Sequence, residues 1–493
     1  MRFLDDPATA QRLRSCLDGA GFDFGAMTER LGPRAVAHVA AGELAPLVRA
    51  TRSDDALDTL LRLFVVGVPV PLAAARRALA PMAVEELAAG GVVAVDGDEV
   101  EALVSVRPLD VPAAWVVAHD RTPRAGAPLA ADHVIGVSAS SMALAGATVR
   151  RPGVSTLDIG TGCGVQALFA SPHSERVVAS DVNPRAAALA TLTMELNGVG
   201  NVDVRTGDMF DPVAGEAFGL VVANPPFVIS PSERYLFRDA AAPVDELCRT
   251  LVRSVPAHLV DGGHFQCLAS WAHVAGEDWR ERLAGWFAGS GCDALVLVRE
   301  ALDPAAHAAN WLRQTEAPDR WEPEYDRWMA YYERHRIEAI GLGLVTMRRR
   351  GDGGDGWFRA EDAAQDFAMP CGDHLGAAFE LADFLAAHEG DALAAVHLRV
   401  APDVVLDDRA QPDGAGWSVT DRRLRQTAGL CREGEVDGAV AAIVAACDGS
   451  RPLATVLGDV ARSAGADAGT VARAALPVIR RLVESGFLLP AEG

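Results

Sequence analysis

"LDIGTGCGV", residues 157–165, joins an apolar run to three alternating glycines, Gly160, Gly162 and Gly164, and leads into the helix-forming "QALFAS". The order reads as strand, tight turn, helix. Glycine is needed where a chain reverses sharply and its backbone must approach a ligand, because a side chain would fill that space. A dinucleotide fingerprint, G-x-G-x-x-G, would require glycine at Val165, and no Gly-Lys-Ser/Thr completes a phosphate loop. NAD, FAD and a Walker-type triphosphate are therefore disfavoured.

Further along, "RVVASDVNP" ends a β-like run at Asp181, about 20 residues past the first glycine, where a carboxylate can accept both ribose hydroxyls of a nucleoside. The plain alternative is a helix cap before "NPRAAALATLTMEL". "VRTGDMFDP" then offers Asp208, an acceptor for an adenine amino group, beside the soft side chain of Met209. A fourth apolar run ends in "VVANPPFVIS" (221–230), which sets Asn224, Pro225, Pro226 and Phe227 at its tip. β-like runs alternate with helical stretches from 106 to 350, which predicts a parallel, doubly wound α/β sheet with its ligands beyond the carboxyl ends of the strands.

D-x-G-x-G-x-G, an acid at the second strand end, Gly-Asp and Asn-Pro-Pro-Phe, in that order, resemble the class I S-adenosylmethionine-dependent methyltransferases over residues 150–350. The resemblance implies a seven-stranded Rossmann-like domain and S-adenosyl-L-methionine as cofactor. It further implies that Asp158 approaches the methionine amino group and that Gly160, Thr161, Gly162 and Gly164 underlie the cofactor. Asp181 would then hold the ribose and Asp208 read the adenine beside Met209, with Val182 and Asn224 also binding the cofactor. "DHVIGVSASSMALAGA" (132–147) matches the segment that covers the methionine end in such enzymes.

N-P-P-F resembles the signature of family members that methylate a nitrogen conjugated to a planar system, such as a nucleobase amine or the glutamine amide. The chemistry suits the residues. Such a nitrogen is a poor nucleophile carrying two N–H groups, which the Asn224 side-chain oxygen and the Pro225 carbonyl can accept, steering the lone pair toward the methyl carbon. The prolines stiffen the turn, and Phe227 offers a flat face for stacking. Asn224, Pro225 and Phe227 are the expected catalytic residues, and no metal is needed.

The 493 residues exceed what one core can hold, and the charge of −22, with every cation an arginine, opposes nucleic-acid or anionic-membrane partners. Eight scattered cysteines without a C-x-x-C pair read as buried thiols. No signal peptide or run of about 18 apolar residues is present, so a cytoplasmic protein is expected. Residues 1–105 and 366–493 read as mainly helical, winged-helix-like flanks around the 106–350 domain, with "RRRGDGGDGWF" opening a Gly/Asp-rich linker over 351–365.

Glu85 and Glu86 make the last N-terminal helix unsuited to phosphates, whereas Arg473, Arg480 and Arg481 mark the last C-terminal helix as the better candidate for an anionic partner. Trp311, Trp321, Tyr325, Trp328, Tyr331 and Tyr332 either line an acceptor cleft or dock a helix. The methyl acceptor is a protein side chain or small molecule on charge, or an RNA or DNA base on motif. A binding module with a vestigial core is the rival of another class.

Overall fold

In the computed structural model, which describes residues 3–4, 6–111, 113–122, 129–232, 234–239, 242–316, 318–363, 367–414 and 416–491, the central apolar runs become one eight-stranded sheet. Its strands are β1 (Val154–Ile159), β2 (Ser174–Asp181), β3 (Val202–Thr206), β4 (Phe218–Ala223), β5 (Leu259–Val274), β6 (Cys292–Leu302), β7 (Ile337–Arg349) and β8 (Phe358–Asp362). Their spatial order is β8–β6–β7–β5–β4–β1–β2–β3. β3, β2, β1, β4 and β5 run parallel, while β7 is antiparallel to β5 and β6. β1 and β4 are buried along most of their length, as expected of strands covered on both faces. The fold is Rossmann-like.

One sequence expectation needs correction here. The sheet has eight strands rather than seven, because Phe358–Asp362, inside the expected 351–365 linker, pairs with Ala294–Val298 of β6. A Cβ at Gly356 would lie 1.8 Å from the Cys292 carbonyl oxygen, so this glycine admits a close backbone approach and leads the chain into the sheet edge. Residues 364 and 365 of that linker lie outside the described residues.

The N-terminal flank packs with the sheet, and residues 1–145 and 151–362 form one compact unit. Helix Pro7–Gly19 is capped by Asp6, which accepts from the Thr9 N–H at 2.9 Å, with Pro7 in the first turn. Its Leu13 and Leu17 join a core that also holds Leu189 and Leu192 of the helix after β2. Asn197, at the end of that helix, exchanges hydrogen bonds with both the N–H (3.0 Å) and the C=O (2.7 Å) of Val116. Val70–Pro71, Glu99–Ala102 and Val93–Asp96 form a small sheet in that order, closed at Gly97 and Asp98. Val104–Pro108 is separate from this sheet and pairs with Val116–Asp120.

The second unit comprises 146–150 and 363–493. Helices Gly438–Ala446, Leu453–Ser463 and Ala468–Glu484 precede a closing strand, Leu488–Pro490. The unit is less helical than its sequence implies, for it contains two three-stranded sheets. One is built on the ribbon Val404–Pro412 and Trp417–Gln426. Arg422 pairs with Asp408 and Arg425 with Asp407 across the strands, so the ribbon is polar on both faces and lacks apolar alternation. Seven of the eight cysteines are buried free thiols and Cys431 is half-buried. Among the described residues, no helix is long and apolar enough to cross a membrane.

A Cβ at Gly341 of β7 would stand 2.4 Å from the Trp271 ring of β5, and one at Gly343 2.3 Å from the Leu297 carbonyl oxygen and 2.9 Å from the same ring. Gly343→Ala is expected to destabilise the sheet by about 2 kcal/mol, read as a lowered midpoint in thermal denaturation.

Candidate functional site

β3, β2, β1 and β4 are neighbours in that order, and because they run parallel their carboxyl ends lie along one edge. The four motifs meet there: Asp158 and the glycine turn after β1, Asp181 and Val182 at the end of β2, Asp208 and Met209 after β3, and Asn224–Phe227 after β4.

At the glycine turn, Gly160, Gly162 and Gly164 have φ of +67°, +57° and +85°, the left-handed region that side chains disfavour. A Cβ at Gly160 or Gly162 would meet no atom within 4 Å, whereas one at Gly164 would lie 2.9 Å from Met194 Cε and 3.2 Å from Ala190 Cα. The first two glycines keep an open surface bare. The third lets the helix starting at Val165 pack on the helix after β2.

Asp158 is buried at the base of the turn. Its Oδ2 accepts from Thr161 Oγ1 at 2.6 Å and from the Ala167 N–H at 3.0 Å, tying the turn to the start of the following helix. Its Oδ1 is buried without a hydrogen-bond partner. Burial drives the Asp158 carboxyl up to about 7, only partly offset by the Thr161 and Ala167 donors, and the charge of Asp181 pushes the same way. An orphaned buried acceptor of this kind calls for a donor from outside the chain.

Asp181 is not the cap of the helix after β2. Asn183 takes that place, its Oδ1 accepting from the Arg185 N–H at 2.9 Å with Pro184 following. Asp181 instead braces the turn, with Oδ2 accepting from the Gly162 N–H and Oδ1 from the Asn183 N–H, both at 2.9 Å. Burial raises its carboxyl, against the pull of those two N–H groups. Each oxygen keeps a further lone pair for a ligand hydroxyl. Val182 beside it is 54% exposed, an apolar surface open to a flat ring. Asp208 is exposed, and Met209, at φ +41°, is half-buried against the core.

The Asn224 side chain is half-exposed, and no hydrogen bond within the described residues occupies its carboxamide. Pro225 is buried, and Phe227 is half-buried against the core under β4 and β5. Ser270 Oγ of β5 donates to the Phe227 carbonyl, fixing the loop from below.

The expected cover over 132–147 is pinned at this edge. Asn183 Nδ2 donates to the Asp132 carbonyl at 2.8 Å, Gln166 Nε2 to Ser141 at 2.7 Å and Arg107 Nη2 to Val137 at 2.8 Å. Asp120 receives the Val134 N–H at 2.9 Å and a forked ion pair from Arg185. None of these anchors was legible in the sequence, because each depends on side chains distant in the chain. Arg480 in the C-terminal unit is partly committed, donating to the Leu385 carbonyl at 3.2 Å.

Residues 137–276 match the methyltransferase small domain family. Two families described only as domains of unknown function match 19–103 and 376–490. Ribosomal RNA small subunit methyltransferase C of Alcanivorax borkumensis is 29% identical over 121 residues, 24% of this chain and 33% of that protein. Ribosomal protein L11 methyltransferase of Pelotomaculum thermopropionicum is 46% identical over 76 residues, 15% and 24% of the respective chains. Release factor glutamine methyltransferase of Xylella fastidiosa is 30% identical over 128 residues, 23% and 46%. The chain thus spans about a third of the length of the first curated relatives it matches.

The two kinds of glycine in the turn separate by substitution. Gly164→Ala adds a clash to an unfavourable backbone and should destabilise by about 3 kcal/mol, whereas Gly160→Ala, entering open space, should lose about 1–2 kcal/mol. Denaturation midpoints of the two variants measure the difference.

Proposed function

We propose that this protein is an S-adenosylmethionine-dependent N-methyltransferase acting on an amide or exocyclic amino nitrogen, with a protein side chain or small molecule as acceptor. The observation that carries this reading is the Asn224 carboxamide, free of internal hydrogen bonds at the end of β4, beside a bare glycine turn flanked by two acids. Bound S-adenosylmethionine supplies an electrophilic methyl group on a sulfonium.

The chain's own residues do the rest. The bare surface at Gly160 and Gly162 takes the cofactor's backbone-facing side. The orphaned Asp158 Oδ1 suits an ammonium, Asp181 a ribose diol, and Val182 with Met209 the faces of an adenine whose amino group Asp208 accepts. Asn224 Oδ1 and the Pro225 carbonyl accept the two N–H groups of the acceptor nitrogen and hold its lone pair in line. Positioning of this kind contributes roughly 7–11 kcal/mol at most. After transfer the nitrogen loses a proton to solvent, and S-adenosylhomocysteine leaves.

Charge favours a protein or small-molecule acceptor, because the N-terminal turn at Asp96, Asp98 and Glu99 is exposed and acidic. Relatives named for ribosomal RNA methylation keep an RNA base amine as the second reading. We further infer that both flanks are winged-helix-like: the N-terminal order of helices and hairpin, and the C-terminal three helices with a closing strand, support it. Arg473 and Arg481 stand exposed on the last helix for an anionic partner.

Labelled methyl from S-adenosylmethionine, followed into the protein, RNA, DNA and small-molecule pools of an extract, identifies the acceptor; label in none of them refutes the enzyme. Asn224→Ala should abolish transfer yet leave cofactor affinity within twofold by calorimetry, whereas Asp181→Ala should weaken binding at least tenfold. Ammonium binding needs Asp158 ionised, and its carboxyl titrates near 7. Affinity should therefore rise about tenfold per pH unit as pH increases toward 7, then level off. Asp158→Asn should flatten that dependence.

A further inference from the structure

Two helices, Pro304–Thr315 and Trp321–Arg334, stand between β6 and β7 and pack over the chain that follows Asn224. Trp328, Tyr331 and Tyr332 are buried there, so these three dock a helix, while Trp311, Trp321 and Tyr325 are half-buried. Within this apolar cluster runs a short polar chain. Tyr332 Oη donates to the Ile229 carbonyl at 3.0 Å, and His307 Nδ1 lies 2.8 Å from the same Oη. His307 and Tyr332 are 0% and 1% exposed.

The direction of the chain is fixed by its ends. A carbonyl can only accept, so the single Tyr332 proton goes to Ile229, and the second bond requires His307 to donate from Nδ1. His307 is then the neutral Nδ1–H tautomer, with Nε2 buried and unpartnered. Burial, which pulls the imidazole down to about 4, agrees with that state. An apolar pair of the same shape would dock the helices without desolvating two polar groups. The polar chain must serve orientation instead.

We propose that His307 and Tyr332 are positioning residues: His307 aims the Tyr332 hydroxyl, which holds the Ile229 carbonyl and so sets the Asn224–Ile229 loop at the acceptor. The inference rests on the methyltransferase reading. Ser270 Oγ holds the Phe227 carbonyl from β5, so the loop is gripped from the sheet and from the helical pair. The following stretch is organised by the buried Arg238–Asp239 pair. Asp239 accepts from Ser230 Oγ at 2.9 Å and from the Arg234 and Tyr235 N–H groups at 3.1 Å, while Arg238 reaches Thr315 Oγ1 at 2.6 Å. A shift of about 1 Å in such a loop lowers rate about a hundredfold.

The test compares full-length wild type, Tyr332→Phe, His307→Leu and His307→Asn, whose Nδ2 can replace the Nδ1 donor. Three readouts apply: amide exchange of Phe227–Ser230, calorimetric S-adenosylmethionine affinity, and label transfer into extract. Tyr332→Phe and His307→Leu should speed exchange at least tenfold and lower kcat ten- to a hundredfold, with cofactor Kd within twofold and KM little changed. His307→Asn should restore both. Unchanged exchange in Tyr332→Phe, or His307→Asn as impaired as His307→Leu, overturns the relay. A wild type that binds no cofactor refutes the methyltransferase reading instead, while exchange still decides the relay.

Discussion

A short piece of backbone must be left-handed and bare. Three positive-φ glycines at the end of β1 set the distance between the sheet edge and anything bound over it, and both neighbouring acids are committed to holding them. Asp158 ties the turn to the helix behind it, and Asp181 ties it to the next strand. The open face above Gly160 and Gly162 exists because these carboxylates stabilise a conformation the chain would otherwise abandon. Their burial leaves both less acidic than ordinary carboxylates, so a shape requirement also creates an electrostatic demand for a cationic or hydroxyl-rich ligand.

Backbone groups, more than side chains, are what the surroundings hold in place. Asp132, Val137, Ser141, Phe227 and Ile229 are all gripped through their carbonyls, by Asn183, Arg107, Gln166, Ser270 and Tyr332 respectively. Loops at strand ends lack sheet partners, and each orphaned carbonyl needs a donor. Here side chains supply those donors, so these segments are held through their backbones.

The sheet and the four strand-end motifs were readable because each rests on a local pattern. Alternating glycines and an acid after an apolar run are chemistry within a few residues. What failed to show was long-range or two-sided. The eighth strand was hidden because "GDGGDG" resembles a spacer, although Gly356 serves close packing against Cys292. The ribbon 404–426 was hidden because its Asp–Arg pairing leaves no apolar face. Asp181 was ambiguous between cap and ligand until Asn183 was seen to fill the cap. The His307–Tyr332–Ile229 chain joins segments separated by 103 residues at its longest step, beyond any motif.

The joint core of Leu13, Leu17, Leu189 and Leu192 means that the first hundred residues cannot be treated as a detachable accessory. Cutting the chain before Val116 would bare an oily stripe on the helix behind β2 and take the Arg14 guanidinium away from the Asn197 side-chain oxygen. Any free energy released when the crevice fills is then shared with the amino-terminal helices. Melting of one must report on occupancy of the other.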